Sequence, residues 1–205
     1  MPADLNFASL ICSRLCHDLV GPVGAISNGI ELMEMEDDPA MAGDALDLLK
    51  HSATNASRRL MFLRLAFGSS GGDEMPLAID DARRAALDFF EDYRLDLIWP
   101  EPAEGAIPKA RIRIALNLLM AAASGLVRGG ELTVDLTSRT LMITGSHERA
   151  GLSEQVVDAL SGTTKATESE DARIIECYLA QMLAEAEGLE IDIKQSAGKF
   201  IISAA

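Results

Sequence analysis

Up to Phe67 the apolar side chains recur at the spacing of helices that lie along one another, broken once by an acidic tract and a proline. At about 100° per residue, Ala8, Ile11, Cys12, Leu15, Leu19, Pro22, Val23, Ile26, Ile30 and Met33 share one broad stripe. The tract Glu34 to Asp38 leads into Pro39, which disfavours helical geometry in the residue before it, so a first helix is expected to stop there. A second is expected from about Met41 to Phe67. Its Leu46, Leu49, Ala53, Ala56, Leu60, Leu63 and Phe67 alternate steps of three and four, the heptad spacing of helices packed at a shallow angle. This pattern constrains the segment to a helical hairpin. Met61, Phe62 and Leu65 fall outside the seam, leaving more apolar surface than two helices bury against each other. A second copy completing a four-helix bundle about a two-fold axis is the economical partner.

The glycine-rich run Gly68 to Pro76 separates this segment from a differently patterned one. The expected division is a helical hairpin at 1–68, a linker at 69–76 and a second domain at 77–205. In the second domain, helical spacing covers Asp80 to Phe90, Pro108 to Val127, Ser153 to Leu160 and Glu168 to Glu187. Strand-like alternation covers Arg94 to Trp99, Glu131 to Thr137, Thr140 to Gly145, Glu190 to Gln195 and Lys199 to Ser203. This mixture predicts an α+β fold, with a sheet covered on one face by helices.

The 205 residues are 48% hydrophobic and 24% charged, a core-forming composition that excludes disorder as the main state. The net charge of -14 repels phosphate backbones and anionic lipid, so nucleic acid is not expected as a partner. No apolar run approaches the ~20 residues of a membrane span, and Asp4 stands where a secretory leader carries basic residues. A cytoplasmic chain is expected. Cys12, Cys16 and Cys177 are too few and too unevenly spaced for a disulfide framework. Cys12 and Cys16 precede His17 one residue too widely for a haem attachment motif, and core packing is expected of both. No metal cluster, phosphate-binding loop or serine triad is present.

His17 stands out by direction. Two residues from Leu15 and two from Leu19, it points about 200° from either, opposite the apolar stripe. Gly21, Gly24 and Asn28 share its side, leaving the surface beyond the ring nearly bare for a docking partner. Glycines inside a helix cost ~1 kcal/mol each and an interior proline such as Pro22 costs ~3 kcal/mol, a composition with little structural reason. An exposed neutral imidazole is a nucleophile suited to accepting a phosphoryl group. Asp18 is placed to take a hydrogen bond from one ring nitrogen, and Arg14 to neutralise phosphate oxygens. The other reading is a surface histidine of no consequence. His51 and His147 read as solvated surface residues.

The run His17-Asp18-Leu19-Val20-Gly21-Pro22-Val23 resembles the H-box of bacterial histidine kinases. The longer run HDLVGPVGAISNGIELM, His17 to Met33, resembles more closely the ChpT-type histidine phosphotransferases of alphaproteobacterial phosphorelays. The resemblance implies a homodimeric four-helix bundle followed by an α/β sandwich shaped like a degenerate kinase ATP-binding domain. It implies that His17 takes a phosphoryl group from the receiver domain of a hybrid kinase and gives it to response-regulator receivers. It implies no cofactor bound by this chain, with Mg²⁺ on the partner receiver. Gly21 stands where many kinases place Thr or Asn to position a hydrolytic water, which puts phosphatase chemistry in doubt.

The nucleotide site of the kinase fold is eroded. Asn117 is kept on the helix resembling the metal-binding one, where it reads as a core or surface hydrogen-bonding group, but Ala121 stands where a second asparagine would hold metal. Ile143-Thr144-Gly145-Ser146-His147 lacks the adenine-binding acid, and Glu168 to Arg173 has three acids and no glycine. ATP-dependent kinase activity is therefore not expected. The competing reading is a non-catalytic dimeric scaffold that docks receivers.

Overall fold

The computed structural model describes residues 3–35, 39–68, 77–101, 107–165 and 171–205. Helix α1 runs unbroken from Ala3 to Met35 through Pro22, and α2 runs from Pro39 to Phe67, opened by the proline whose missing N–H is not needed there. The two form the expected hairpin. Gly29 sets their spacing, because a Cβ at that position would stand 2.8 Å from Leu49 Cγ. Leu10, Ala45 and Ser52 are buried in the hairpin.

Much of the predicted seam stays open within one chain. Val23, Ile30 and Met33 on α1 and Leu46 and Leu60 on α2 are exposed, while Leu63 and Phe67 at the far end of α2 are buried. Cys12 and Cys16 are exposed as well, a correction to the expected core packing. The face of α1 that carries them is not covered by α2, so their burial would need another surface. Phe62 is not a leftover apolar group either: it is fully buried.

The rest of the chain comprises α3 (Ile79–Phe90), β1 (Leu95–Ile98), α4 (Lys109–Ala123), β2 (Gly130–Leu136), β3 (Leu141–Ser146), α5 (Glu154–Leu160), α6 (Ile175–Ala186), β4 (Ile191–Ser196) and β5 (Lys199–Ala204). The strands form one five-stranded sheet in the order β1-β2-β3-β5-β4. β1 pairs parallel with β2, joined through α4, and the other pairs are antiparallel. Leu132, Val134, Leu136, Leu141, Ile143, Phe200 and Ile202 point to the buried face, which α4 covers, and α6 packs against α4. Gly145 stands opposite Phe200, whose ring occupies the space a Cβ would take, at 2.1 Å. This glycine is held by core packing. The α+β architecture is the expected one.

One helix starts later than its periodicity predicts. Asp171 is extended, and its side chain accepts the backbone N–H of Arg173 at 2.9 Å, capping a 3-10 turn at Ala172–Ile174 before α6 begins at Ile175. The expected linker at 69–76 and the acids Glu168 and Glu170 lie outside the described residues. Among those described, no helix is long and apolar enough to cross a membrane.

The hairpin shares one hydrophobic core with the sheet domain, to which Leu10, Phe62, Leu63, Ala66 and Phe67 all belong. Phe62 stacks on Phe89 of α3 with centroids 4.2 Å apart and meets Phe90 edge-on. The Arg59 guanidinium lies over the rings of Phe89 and Tyr93. Asn117, fully buried in α4, donates to the carbonyls of Ala66 on α2 at 2.9 Å and Arg113 at 2.8 Å. The asparagine that resembles a metal ligand is thus a core hydrogen-bonding group between the two parts of the chain.

Candidate phosphoacceptor site

The first half of α1 places His17 on the surface, with 71% of its side chain accessible. The neighbouring carboxylate turns back to it: His17 Nδ1 lies 3.1 Å from Asp18 Oδ1. A carboxylate only accepts, so in the neutral ring this contact favours the tautomer with its proton on Nδ1 and its lone pair on Nε2. Asp18 itself is mostly buried, and its second oxygen takes a hydrogen bond from Arg14 Nε at 2.9 Å, one turn back along the helix. Successive helical residues do not normally face each other. Here the side chain of Asp18 bridges between Arg14 and His17, and the contact forms.

Arg14 is committed elsewhere too. Its Nη1 donates to the Arg173 carbonyl at 2.7 Å and lies 3.3 Å and 3.2 Å from the two carboxylate oxygens of Glu176, in the first turn of α6. The expectation that Arg14 neutralises phosphate oxygens therefore meets a guanidinium whose Nε and Nη1 already hold Asp18 and the sheet domain. Burial pulls the Arg14 guanidinium down, and the carboxylates of Glu176 and Asp18 more than offset it, so the charge is retained. Glu176 is only 2% exposed; burial pushes its carboxyl up to about 7 against the pull of Arg14.

Glu176 escaped the sequence reading, although a signal was there. It interrupts the apolar run Ile174 to Leu179, and a charged residue in such a run either faces water or needs a buried partner. The partner lies 162 positions away in sequence.

Beyond the ring, Gly24 is half-buried. Gly21 and Asn28 are exposed, and a Cβ added at Gly21 or Gly24 would meet nothing within 4 Å. His147 is half-buried and accepts the Arg149 N–H through Nδ1 at 3.1 Å, within its own turn. His51 is exposed, 4.0 Å from Asp92. Among the described residues, no group of three or more His, Cys, Asp or Glu side chains is placed to share a metal ion.

Comparison with known proteins bears on this arrangement over nearly the whole chain. Residues 79–199 match the family model of the histidine phosphotransferase C-terminal domain. The protein phosphotransferase ChpT of Brucella abortus (strain 2308) is 35% identical over 204 residues, covering 98% of this chain and 95% of the relative. A solved bacterial phosphotransferase superposes with a TM-score of 0.82 at 32% identity, over 98% of this chain and 96% of that one. With the sheet domain matched by the family model and both the hairpin and the sheet domain matched by relatives, the chain belongs to the ChpT-type histidine phosphotransferases.

Proposed function

We propose that His17 is the phosphoacceptor of a phosphorelay, taking a phosphoryl group from the aspartyl phosphate of one receiver domain and passing it to the aspartate of another. The observation that carries this is the exposed ring with its Nδ1 tied to Asp18. The Nε2 lone pair attacks phosphorus, the P–N bond forms as the P–O bond to the receiver's aspartate breaks, and the aspartate leaves as a carboxylate. The Nδ1 proton stays on the ring, where Asp18 balances the positive charge that develops. Charge on the phosphoryl oxygens is then met by the receiver and the Mg²⁺ it carries, since Arg14 is turned to Asp18 and Glu176. Incubation with a phosphorylated receiver domain should give acid-labile, alkali-stable label on His17, and Mg·ATP alone should give none. Absence of label from the receiver, or labelling by ATP, overturns this reading.

The open surface around Gly21 supports docking of the receiver over the ring. Gly21→Leu is expected to slow transfer at least severalfold by filling that approach, while leaving the helix intact, because leucine is the better helix former and has free space there. Transfer at the unmodified rate would remove the docking role of this face.

The protein acts in this reading as a homodimer. On α1 the exposed Leu5, Cys12, Cys16, Val23 and Ile30 fall at heptad positions, and on α2 the exposed Leu46, Ala53 and Leu60 do the same. Two such stripes on one hairpin are what a two-fold four-helix bundle covers, the exposed cysteines included. The doubly substituted Leu46→Asp, Leu60→Asp protein is expected to sediment as a monomer at micromolar concentration where the unmodified protein sediments as a dimer. A monomeric unmodified protein defeats the bundle.

A further inference from the structure

We propose that Glu176, in the sheet domain, is a positioning residue for His17, acting through Arg14 and Asp18; the inference rests on His17 being the phosphoacceptor. The contacts run in one line across the junction between the two parts of the chain. The Glu176 carboxylate lies 3.2 Å from Arg14 Nη1, Arg14 Nε donates to Asp18 Oδ2 at 2.9 Å, and Asp18 Oδ1 lies 3.1 Å from His17 Nδ1. Asp18 has two oxygens and each is assigned: one to the guanidinium, one to the ring. Which way the carboxylate turns is therefore set by where the guanidinium is held, and the guanidinium is held by the sheet domain.

Two observations make this more than a structural ion pair. First, a buried carboxylate and guanidinium are a poor way to stabilise a junction, because desolvation of both ions offsets their attraction, and apolar residues of similar size do as well or better. The same junction already has an apolar anchor in the Phe62–Phe89 stack. Second, the pairing of Glu176 is incomplete: its Oε2 is buried and 3.2 Å from Arg14 Nη1, yet takes no well-formed hydrogen bond among the described residues. Arg14 Nη1 is shared between this carboxylate and the Arg173 carbonyl at 2.7 Å, so the guanidinium is clamped at the sheet-domain end while its Nε points at Asp18. The geometry serves the orientation of Arg14 better than the satisfaction of Glu176.

The sheet domain in this account completes the phosphoacceptor site rather than only presenting a surface beside it. The test uses the full chain in three variants, Glu176→Gln, Asp18→Ala and the double variant, with two readouts. One is the ¹⁵N spectrum of the His17 imidazole at mildly alkaline pH, which reports the proton's distribution between Nδ1 and Nε2 and needs no phosphoryl transfer. The other is the rate of phosphoryl uptake at saturating and at low concentrations of phosphorylated receiver. Glu176→Gln keeps the volume and a hydrogen-bonding oxygen, and is expected to remain folded. It should shift the imidazole away from the Nδ1–H form and lower the saturated rate about tenfold, with the receiver concentration for half-saturation unchanged. In the Asp18→Ala background the same substitution should have no further effect on either readout, because the intermediary is gone. An unchanged tautomer distribution in Glu176→Gln, or effects that simply multiply in the double variant, overturns the proposal. Should the unmodified protein fail to label on His17, the phosphoacceptor reading falls by that result alone, while the tautomer measurement still decides whether Glu176 orients the ring.

Discussion

His17→Ala is expected to abolish phosphoryl uptake and leave the fold untouched. The ring is 71% exposed, so its removal opens no core cavity. Its polar partner among the described residues is Asp18, and a hydrogen bond at an exposed site contributes about 1 kcal/mol or less. Alanine returns a few tenths of a kcal/mol as the better helix former. These terms nearly cancel, and the unfolding free energy should move by about 0.5 kcal/mol or less. The chemical effect has no such compensation. Asp18 can orient the ring and the receiver's own groups can neutralise the phosphoryl oxygens, but none supplies the nitrogen lone pair, and one turn on along the helix stand Val20 and Gly21, which carry no nucleophile. Denaturant unfolding and label transfer from a phosphorylated receiver, run on the same preparation, separate the two effects. Residual label on the variant would move the phosphoacceptor elsewhere, and loss of the folded state would mean that His17 is structural.

The parts of this site that lie within one helix were legible in the sequence, and the parts that cross between elements were not. Direction alone set His17 opposite the stripe of Leu15 and Leu19, and Gly21, Gly24 and Asn28 on its side, because helical periodicity fixes angle whatever the tertiary context. The role of Arg14 was legible only in part. Its sign and its place at one turn from Asp18 are in the sequence, but its capture by Glu176 and the Arg173 carbonyl depends on how α6 docks. Phe62 shows the same limit: spacing placed it outside the hairpin seam, and a seam has no way to show that α3 covers the residue with Phe89. The exposed Cys12 and Cys16 failed for a related reason, since Ile11 and Leu15 of the same stripe pack on the core while the edge that carries the cysteines is left uncovered within the single chain. At α6, apolar periodicity ran back to Glu168, but the side chain of Asp171 captures a backbone N–H and starts the helix later. Local hydrogen bonding overrode pattern there.

Phe62→Ala should show how firmly the hairpin is joined to the sheet domain, and the expected loss is large. The ring is fully buried, stacked on Phe89 and edge-on to Phe90. Truncation removes its transfer free energy and leaves a cavity that α2 and α3 can close only in part, a combination that costs about 3–5 kcal/mol. A domain of ordinary stability has about 5–15 kcal/mol in total, so the substitution takes a sizeable share. Because Leu10, Phe62 and Phe67 belong to the same core as the sheet, the loss should lower the denaturant midpoint of one cooperative transition with little change in slope. Val127→Ala, at a side chain 79% exposed, serves as the control and should change stability by less than about 0.5 kcal/mol. A loosened hairpin also carries Arg14 away from Glu176, so the folded fraction of Phe62→Ala should transfer more slowly than its population explains. If the variant loses less than about 1 kcal/mol, or if the hairpin melts in a separate step in the unmodified protein, the two parts are not joined through this ring, and the orientation of His17 by the sheet domain loses its mechanical support.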